Sequence, residues 1–136
     1  MHIWEILEKS KVIAVVGLSD KKERASYEVA SYLREHGYDI IPVNPNISEW
    51  RGIKAYPSLS DVDKEVDVVQ VFRRGEFVAD IVDEAVTLGA KVIWMQIGVV
   101  DENAAKIARN AGLSVVMDRC MKVEHQDWLQ SIKREE

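Results

Sequence analysis

The chain has 136 residues, of which 47% are hydrophobic and 30% charged, and its formal net charge is -5. This size and composition predict one soluble globular domain, residues 1–136, with a single core. The acidic balance excludes nucleic acid as an expected partner, because phosphate backbones need a basic surface. The single cysteine, Cys120, cannot form an internal disulfide. The sequence shows neither a signal-peptide pattern nor a membrane-spanning apolar run, so we expect a cytoplasmic protein that does not contact membranes.

The first half of the chain alternates between helices and short apolar strands. An amphipathic helix over 2–9 precedes a strand over 12–16, which is apolar throughout. A second helix begins near Ser26, which we predict as its N-cap, and ends before Gly37. A second strand then covers 38–43. Continuous runs of β-branched residues are typical of strands covered on both faces of a parallel sheet.

The second half repeats this pattern, and two further helices end in glycine shortly before an apolar strand. The predicted elements are a helical turn at 58–62, a strand at 66–71, a helix at 77–88, a strand at 91–95, a helix capped by Asp101 that ends at 111, and a strand at 113–117. The charged tail after Trp128 is predicted to fray.

Three helix-to-strand joints indicate right-handed βαβ units. The sequence therefore predicts a doubly wound, Rossmann-like α/β domain, with a parallel sheet of about five strands in the order 3-2-1-4-5 and helices on both faces. Such sheets bind ligands beyond the carboxyl ends of the strands, where the strand order reverses. The loops expected at that edge are 17–24, 44–45, 72–74 and 96–98.

The loop after the first strand has features of a phosphate site. Gly17 lets backbone approach a ligand closely, and Ser19 offers a hydroxyl. The N-terminus of the helix near Ser26 favours an anion. Three basic side chains add positive charge: Lys21, Lys22 and Arg24. The alternative is an ordinary β-turn-α connection with a solvated basic loop.

The fingerprint of a dinucleotide site is absent. Its later glycines are replaced by Ser19 and Lys22, and the second strand ends at Asn44-Pro45 instead of at the acid that binds the adenine ribose of NAD. Both features disfavour an NAD(P)-linked oxidoreductase. After the third strand, Phe72 is placed to lie against an adenine ring and Arg73-Arg74 to pair with phosphate. The alternative is a core residue followed by solvated arginines.

Five segments together resemble a known family. They are Val-Val-Gly-Leu-Ser at 15–19, Ile-Pro-Val-Asn-Pro at 41–45, Val-Phe-Arg-Arg at 71–74, Trp-Met-Gln-Ile-Gly at 94–98, and Met-Asp-Arg-Cys at 117–120 with Glu124 and His125. In this order they resemble the small bacterial and archaeal CoA-binding proteins, which are single-domain relatives of the CoA-binding domain of the succinyl-CoA synthetase α subunit. The resemblance implies a Rossmann-like fold and coenzyme A, or an acyl-CoA, as the ligand.

The resemblance also implies roles for particular residues. Gly17, Ser19 and the loop through Arg24 would cradle the pyrophosphate, and Asn44 and Pro45 would lie near the adenosine. Phe72, Arg73 and Arg74 would contact the nucleotide. Met95, Gln96 and Ile97 would line the path of the pantetheine arm. The phosphohistidine loop of the synthetase has no counterpart in this sequence, so the resemblance implies the binding and not the ligase reaction.

A second group of reactive side chains follows the fifth strand: Asp118, Arg119, Cys120, Glu124 and His125. The favoured interpretation is a fold-closing ion pair between Asp118 and Arg119, with Cys120 as a small buried residue. Other hypotheses are a Cys120 nucleophile with His125 as base and a mixed disulfide between Cys120 and the CoA thiol. A metal site is not expected, because zinc would need more than one Cys and one His in ligand spacing.

The preferred function is a stand-alone, non-catalytic CoA-binding or regulatory module. The alternatives are a CoA-dependent enzyme or thiol-redox protein using Cys120 and His125, an NAD(P) oxidoreductase, and an interaction domain with a vestigial pocket. A protein partner or a homo-oligomer is compatible with the sequence, and Trp50 is a candidate exposed interface residue.

Overall fold

The structure is a computed structural model, and it describes residues 1–135. Five parallel strands form its central sheet. In chain order the elements are α1 (Ile3–Lys9), β1 (Val12–Val16), α2 (Ala25–Glu35), β2 (Asp39–Val43), β3 (Glu49–Trp50), β4 (Ile53–Lys54), a 3-10 helix (Leu59–Asp61), β5 (Val68–Val71), α3 (Phe77–Leu88), β6 (Val92–Met95), α4 (Glu102–Asn110), β7 (Ser114–Val116) and α5 (Met121–Glu135). The sheet order is β2-β1-β5-β6-β7, and β3 and β4 form a separate antiparallel pair.

The fold class is confirmed: the protein is a Rossmann-like α/β domain with a five-stranded parallel sheet. The predicted order 3-2-1-4-5 is wrong, because β5, the third long strand, lies between β1 and β6. Its predicted place outside β2 is partly taken by Tyr56. The Tyr56 N–H donates to the Pro42 carbonyl oxygen, and the Asn44 N–H donates to the Tyr56 carbonyl oxygen, both at 2.9 Å. The strand order therefore reverses between β1 and β5, which is where ligands bind in such sheets.

Side chains of the strands alternate between two buried faces, as expected for a sheet covered on both sides. Val16, Val43 and Val71 point to the face that packs against α3, α4 and the 3-10 helix. Val15 and Trp94 point to the opposite face, which packs against α1, α2 and α5. Adjacent residues at a strand end therefore contribute to opposite sides of the molecule.

The ends of the helices confirm some sequence predictions and correct one. Asp101 caps α4, because its Oδ1 accepts the Ala104 N–H at 2.9 Å. Ser26 is not the N-cap of α2. The helix starts at Ala25, and Arg24, two residues before Ser26, occupies the cap position without a side-chain hydrogen bond to the helix. Ser26 is instead free to bond the preceding loop, as described below.

Two further features were not anticipated from the sequence. Trp50 is 1% exposed and its ring packs edge-on against Tyr27, so it is not an exposed interface residue. The charged tail does not fray after Trp128, since α5 continues to Glu135. Within residues 1–135, every helix is too short or too polar to span a bilayer.

Candidate functional site

The carboxyl ends of β1, β2 and β5 open onto a groove of about 610 Å³. Eight of the predicted site residues line it: Gly17, Ser19, Lys21, Arg24, Ser26, Asn44, Phe72 and Arg74. Sequence reasoning missed Asn46 and Ile47, which follow β2 and also line the groove. The signal available for them was their position directly after the predicted Asn44-Pro45 loop. A groove of about 520 Å³ beside Arg34 and Lys64 lies at the amino end of β2, away from the ligand edge of this fold.

Gly17 is the point where β1 turns into the groove. Its φ is +90°, and its N–H donates to the Val43 carbonyl oxygen at 2.9 Å. A Cβ at this position would lie 3.1 Å from Cδ of Arg73 and 3.4 Å from Cβ of Phe72. Glycine is therefore required both by the backbone conformation and by the close approach of the loop after β5.

Two serine hydroxyls accept backbone hydrogen bonds that shape the loop that follows. Ser26 Oγ accepts the Ser19 N–H at 3.0 Å, and Ser19 Oγ accepts the Lys21 N–H at 3.1 Å. The loop is thus folded back onto the first turn of α2. Because α2 has no side-chain cap, its first N–H groups are left for an external acceptor.

The electrostatics of the groove favour the same kind of ligand. Lys21, Arg24 and Arg74 contribute three cationic side chains to the lining, against one carboxylate from Asp20. None of the three cations forms an ion pair within residues 1–135. Together with the uncapped helix, they make the groove suited to an anionic group.

Asn44 joins the end of β2 to this loop. Its Nδ2 donates to the Leu18 carbonyl oxygen at 2.9 Å, and its Oδ1 accepts the Asn46 N–H at 2.8 Å. The Leu18 side chain is fully buried in the core, which also holds the loop in place. Asn44 occupies the position that an acid has in an NAD site, and its amide instead holds the loop in place.

The two arginines after β5 lie in different surroundings. The Arg74 guanidinium packs over Gly98, where an added Cβ would lie 3.3 Å from its Cζ. Arg73 instead lies over the ring of Phe77, at 4.0 Å from the centroid. Arg73 and Pro45 line a separate cavity of about 190 Å³ on the α3 side. Lys22 is exposed and lines neither space.

The predicted pantetheine path divides into buried and exposed parts. Met95 is fully buried in the core and Gln96 is 5% exposed, whereas Ile97 is 63% exposed. Gln96 Oε1 accepts hydrogen bonds from Gln70 Nε2 and from the Met121 N–H, both at 3.0 Å. Gln96 thus connects the centre of the sheet to the start of α5. Among Met95, Gln96 and Ile97, only Ile97 exposes a large side-chain surface.

The polar groups after β7 are largely engaged in bonds within the fold. Asp118, whose φ is +60°, accepts the Gly98 N–H through Oδ1 at 2.8 Å. Arg119 pairs with Glu124 at 2.9 Å, so the expected Asp118–Arg119 ion pair is wrong. The geometric reason is that Asp118 turns toward the loop after β6. Cys120 is a free, half-buried thiol, and within residues 1–135 it makes no hydrogen bond to His125.

His125 lies in an aromatic cluster between α2 and α5. It is 3% exposed, and its Nδ1 lies 2.8 Å from the Tyr32 hydroxyl. The rings of Tyr38 and Trp128 pack edge-on against it. Burial lowers the pKa of His125, and the nearby His36 lowers it further. Among residues 1–135, no three side chains of the His, Cys, Asp and Glu types gather around a possible metal position.

The doubly wound sheet places the chain in the class of Rossmann-like α/β domains, and its groove favours an anionic group. The chain belongs to the CoA binding domain family, whose model matches residues 11–126. The resemblance inferred from the sequence motifs is thus confirmed at the level of the family.

Two known proteins are similar to this chain over most of its length. The uncharacterized protein YneT of Bacillus subtilis (strain 168) is 46% identical over 124 residues, which cover 91% of this chain and 92% of YneT. The structure of a hypothetical protein from Pyrococcus horikoshii OT3 matches with a TM-score of 0.91 and 44% identity, over 93% of this chain and 89% of that chain.

A more distant relative is a subunit of an enzyme. The α subunit of ADP-forming acetate–CoA ligase II from Pyrococcus furiosus is 29% identical over 122 residues. The match covers 82% of this chain but 27% of the ligase subunit. This chain therefore corresponds to about a quarter of that subunit.

Proposed function

We propose that this protein binds coenzyme A or an acyl-CoA as a stand-alone, non-catalytic binding or regulatory module. The observation that carries the proposal is the uncapped N-terminus of α2 beside the unpaired cations Lys21 and Arg24. In this arrangement the pyrophosphate lies on the loop from Gly17 to Arg24 and accepts hydrogen bonds from the first turn of α2. Membership of the CoA binding domain family supports the choice of ligand.

The rest of the nucleotide is assigned to the remaining groove residues. The adenosine lies beside Asn44 in the groove, next to Pro45, which itself lines the cavity on the α3 side, and Phe72 offers its ring to the adenine. Arg74 faces the same groove and is available for a phosphate. Lys22 adds positive charge near the entrance. Of the residues assigned to the pantetheine path, Ile97 is exposed, and the buried Met95 and Gln96 support it from below.

A dinucleotide fits this groove less well. Ser19, which bonds Ser26, occupies a position at which a dinucleotide site has a glycine. Both amide atoms of Asn44 already have backbone partners. A ribose diol would therefore find no carboxylate acceptor at the end of β2. These contacts favour CoA over NAD(P).

The contacts of Cys120 and His125 favour binding over catalysis. A thiol nucleophile needs a base within hydrogen-bond reach. His125 is buried and uses Nδ1 on the Tyr32 hydroxyl, and no bond joins it to Cys120 within the described residues. The acetate–CoA ligase reaction of the distant relative is accordingly not part of the proposed function.

The proposal is tested by calorimetric titration with CoA, acetyl-CoA, NAD and ATP, together with mass spectrometry of ligand released from freshly purified protein. We expect CoA and acetyl-CoA to bind more tightly than NAD. The double variant Lys21→Gln/Arg24→Gln should weaken CoA binding at least about tenfold, because it removes two charge-assisted contacts to phosphate.

The matched control is Lys106→Gln/Arg109→Gln, which removes the same charge from exposed positions on α4. Its CoA affinity should stay within about twofold of wild type, because long-range charge effects are screened by salt. Cys120→Ser should also retain its affinity. Binding of NAD in preference to CoA, or equal losses in the two double variants, would reject the proposed function.

A further inference from the structure

A second compartment opens at the same sheet edge, on the side of α3. Its volume is about 190 Å³, and its apolar walls include Val16, Val43, Leu59 and Ile81. Sites for drug-sized ligands usually measure roughly 300–1,000 Å³. This compartment, which we call the α3 cavity, is therefore sized for a short chain and not for a nucleotide.

The α3 cavity and the groove are built from neighbouring residues of the same strand ends. Val16 lines the cavity and Gly17 the groove, and the same alternation holds for Arg73 and Phe72. A ligand seated in the groove thus has the mouth of the cavity beside it on the same edge. The cavity offers an open recess with several apolar walls, whereas the predicted path over Ile97 offers a single exposed side chain.

The polar lining of the α3 cavity distinguishes between acyl groups. Arg73 forms no ion pair within residues 1–135, so its guanidinium N–H groups remain available to a carbonyl oxygen. Asp80 and Glu84, one turn apart on α3, also line the cavity. Glu84 already accepts the Ser60 N–H at 3.2 Å. Two carboxylates against one guanidinium disfavour a negatively charged guest.

We propose that the α3 cavity receives the acyl group of a short-chain, uncharged acyl-CoA, while Arg73 donates a hydrogen bond to the thioester carbonyl oxygen. This inference rests on the proposed CoA binding and adds the class of acyl group to it. The aliphatic chain packs against Val43, Leu59 and Ile81. An acyl group that ends in a carboxylate is disfavoured by Asp80 and Glu84.

The test compares CoA, butyryl-CoA and succinyl-CoA by calorimetric titration. Both acyl groups have four carbons and differ in the terminal carboxylate. We expect butyryl-CoA to bind about tenfold more tightly than CoA, because burying its methylene and methyl groups is favourable. Succinyl-CoA should bind more weakly than butyryl-CoA by at least about tenfold, since its carboxylate would lie beside the like charges of Asp80 and Glu84.

Two variants locate the effect. Ile81→Phe fills the cavity and should abolish the preference for butyryl-CoA while the affinity for CoA itself persists. Asp80→Asn, at an exposed position of α3, should reduce the discrimination against succinyl-CoA severalfold. Asp83→Asn removes the same charge from the same helix outside the cavity and should leave the discrimination unchanged.

Each outcome bears on one of the two proposals. Equal affinities for butyryl-CoA and succinyl-CoA, or equal effects of Asp80→Asn and Asp83→Asn, would overturn the assignment of the cavity while CoA binding stands. If CoA and both thioesters fail to bind wild-type protein, the proposed function fails and the cavity assignment with it. If Ile81→Phe does not fold, the Asp80→Asn and Asp83→Asn pair still decides between the outcomes.

Discussion

The groove beside Gly17 and the C-terminal cluster, residues 118–125, both follow strands at the carboxyl edge of the sheet, but their polar groups are used differently. In the groove, Lys21 and Arg24 are exposed and have no ionic partner within residues 1–135. In the cluster, Arg119 pairs with Glu124, and His125 bonds Tyr32. The residue types of the cluster are the more reactive ones, yet the unused hydrogen-bonding capacity lies in the groove.

This difference teaches that residue type is a weaker guide to a site than unsatisfied bonding capacity. A histidine and a cysteine five residues apart suggest catalysis on paper, but burial and a tyrosine partner give His125 a structural role. The basic loop near Gly17 could equally have been a solvated turn. Its uncapped helix and unpaired cations are what make it a candidate site. Three substitutions test the comparison.

The largest effect is expected from Gln96→Leu. This change leaves two buried donors, Gln70 Nε2 and the Met121 N–H, without their acceptor. Each buried orphan costs about 1–3 kcal/mol, so we expect the free energy of unfolding to fall by about 3 kcal/mol in urea denaturation. Gln126→Leu, at an exposed position of α5, is the matched control and should change stability by less than about 0.5 kcal/mol.

The same variant also tests whether Gln96 is structural. We expect folded Gln96→Leu protein to keep most of its affinity for CoA, because its amide is committed to α5 and the sheet. A loss of affinity with little loss of stability would show that Gln96 contacts the ligand and is not a purely structural residue.

A smaller loss of stability is expected from Gly17→Ala, which should also weaken binding. A non-glycine residue at positive φ costs about 1–2 kcal/mol, and the new Cβ would in addition press on Arg73. Gly52→Ala is the matched control, because Gly52 has φ +80° and no atom within 4 Å of an added Cβ. Both variants should lose stability, but CoA titration should detect weaker binding in Gly17→Ala alone.

The smallest effect concerns pH and the cluster. The pKa of His125 is below its ordinary value of 6.5 because of burial, so the unfolded chain binds a proton that the folded chain resists. The stability contributed by neutral His125 is therefore complete above pH 6.5 and is lost as the pH falls through the folded-state pKa. Urea denaturation between pH 7 and pH 5 should show this decline, and His125→Phe should reduce it. An unchanged pH dependence in His125→Phe would show that other groups cause it.

The sequence predicted the five long strands well because each contains a short apolar stretch rich in β-branched residues. It failed on their order, since the periodicity of 66–71 does not say which edge that strand joins. In the structure Tyr56 pairs with the outer edge of β2, a contact that no local pattern encodes. The hairpin of β3 and β4 was missed because each of its strands has only two residues.

The loops that form the groove were predicted from the sequence. Which residues line the groove and which contact other parts of the fold was not predicted. Local sequence placed Arg73 and Arg74 together, whereas the structure directs them to different spaces. Ser26 was predicted to cap its own helix and instead holds Ser19. In each case the partner comes from outside the local pattern, through tertiary contacts that a reading of local sequence does not capture.

The alternation at the strand ends constrains how this family of domains can diverge. Deleting one residue at the end of β5 would exchange Phe72 and Arg73 between the groove and the α3 cavity, because neighbouring side chains of a strand point to opposite faces. Insertions and deletions at these positions would thus alter both compartments together, whereas single substitutions alter one. Over evolutionary time, strand lengths in this domain should be more strictly preserved than the identities of the residues that close each strand.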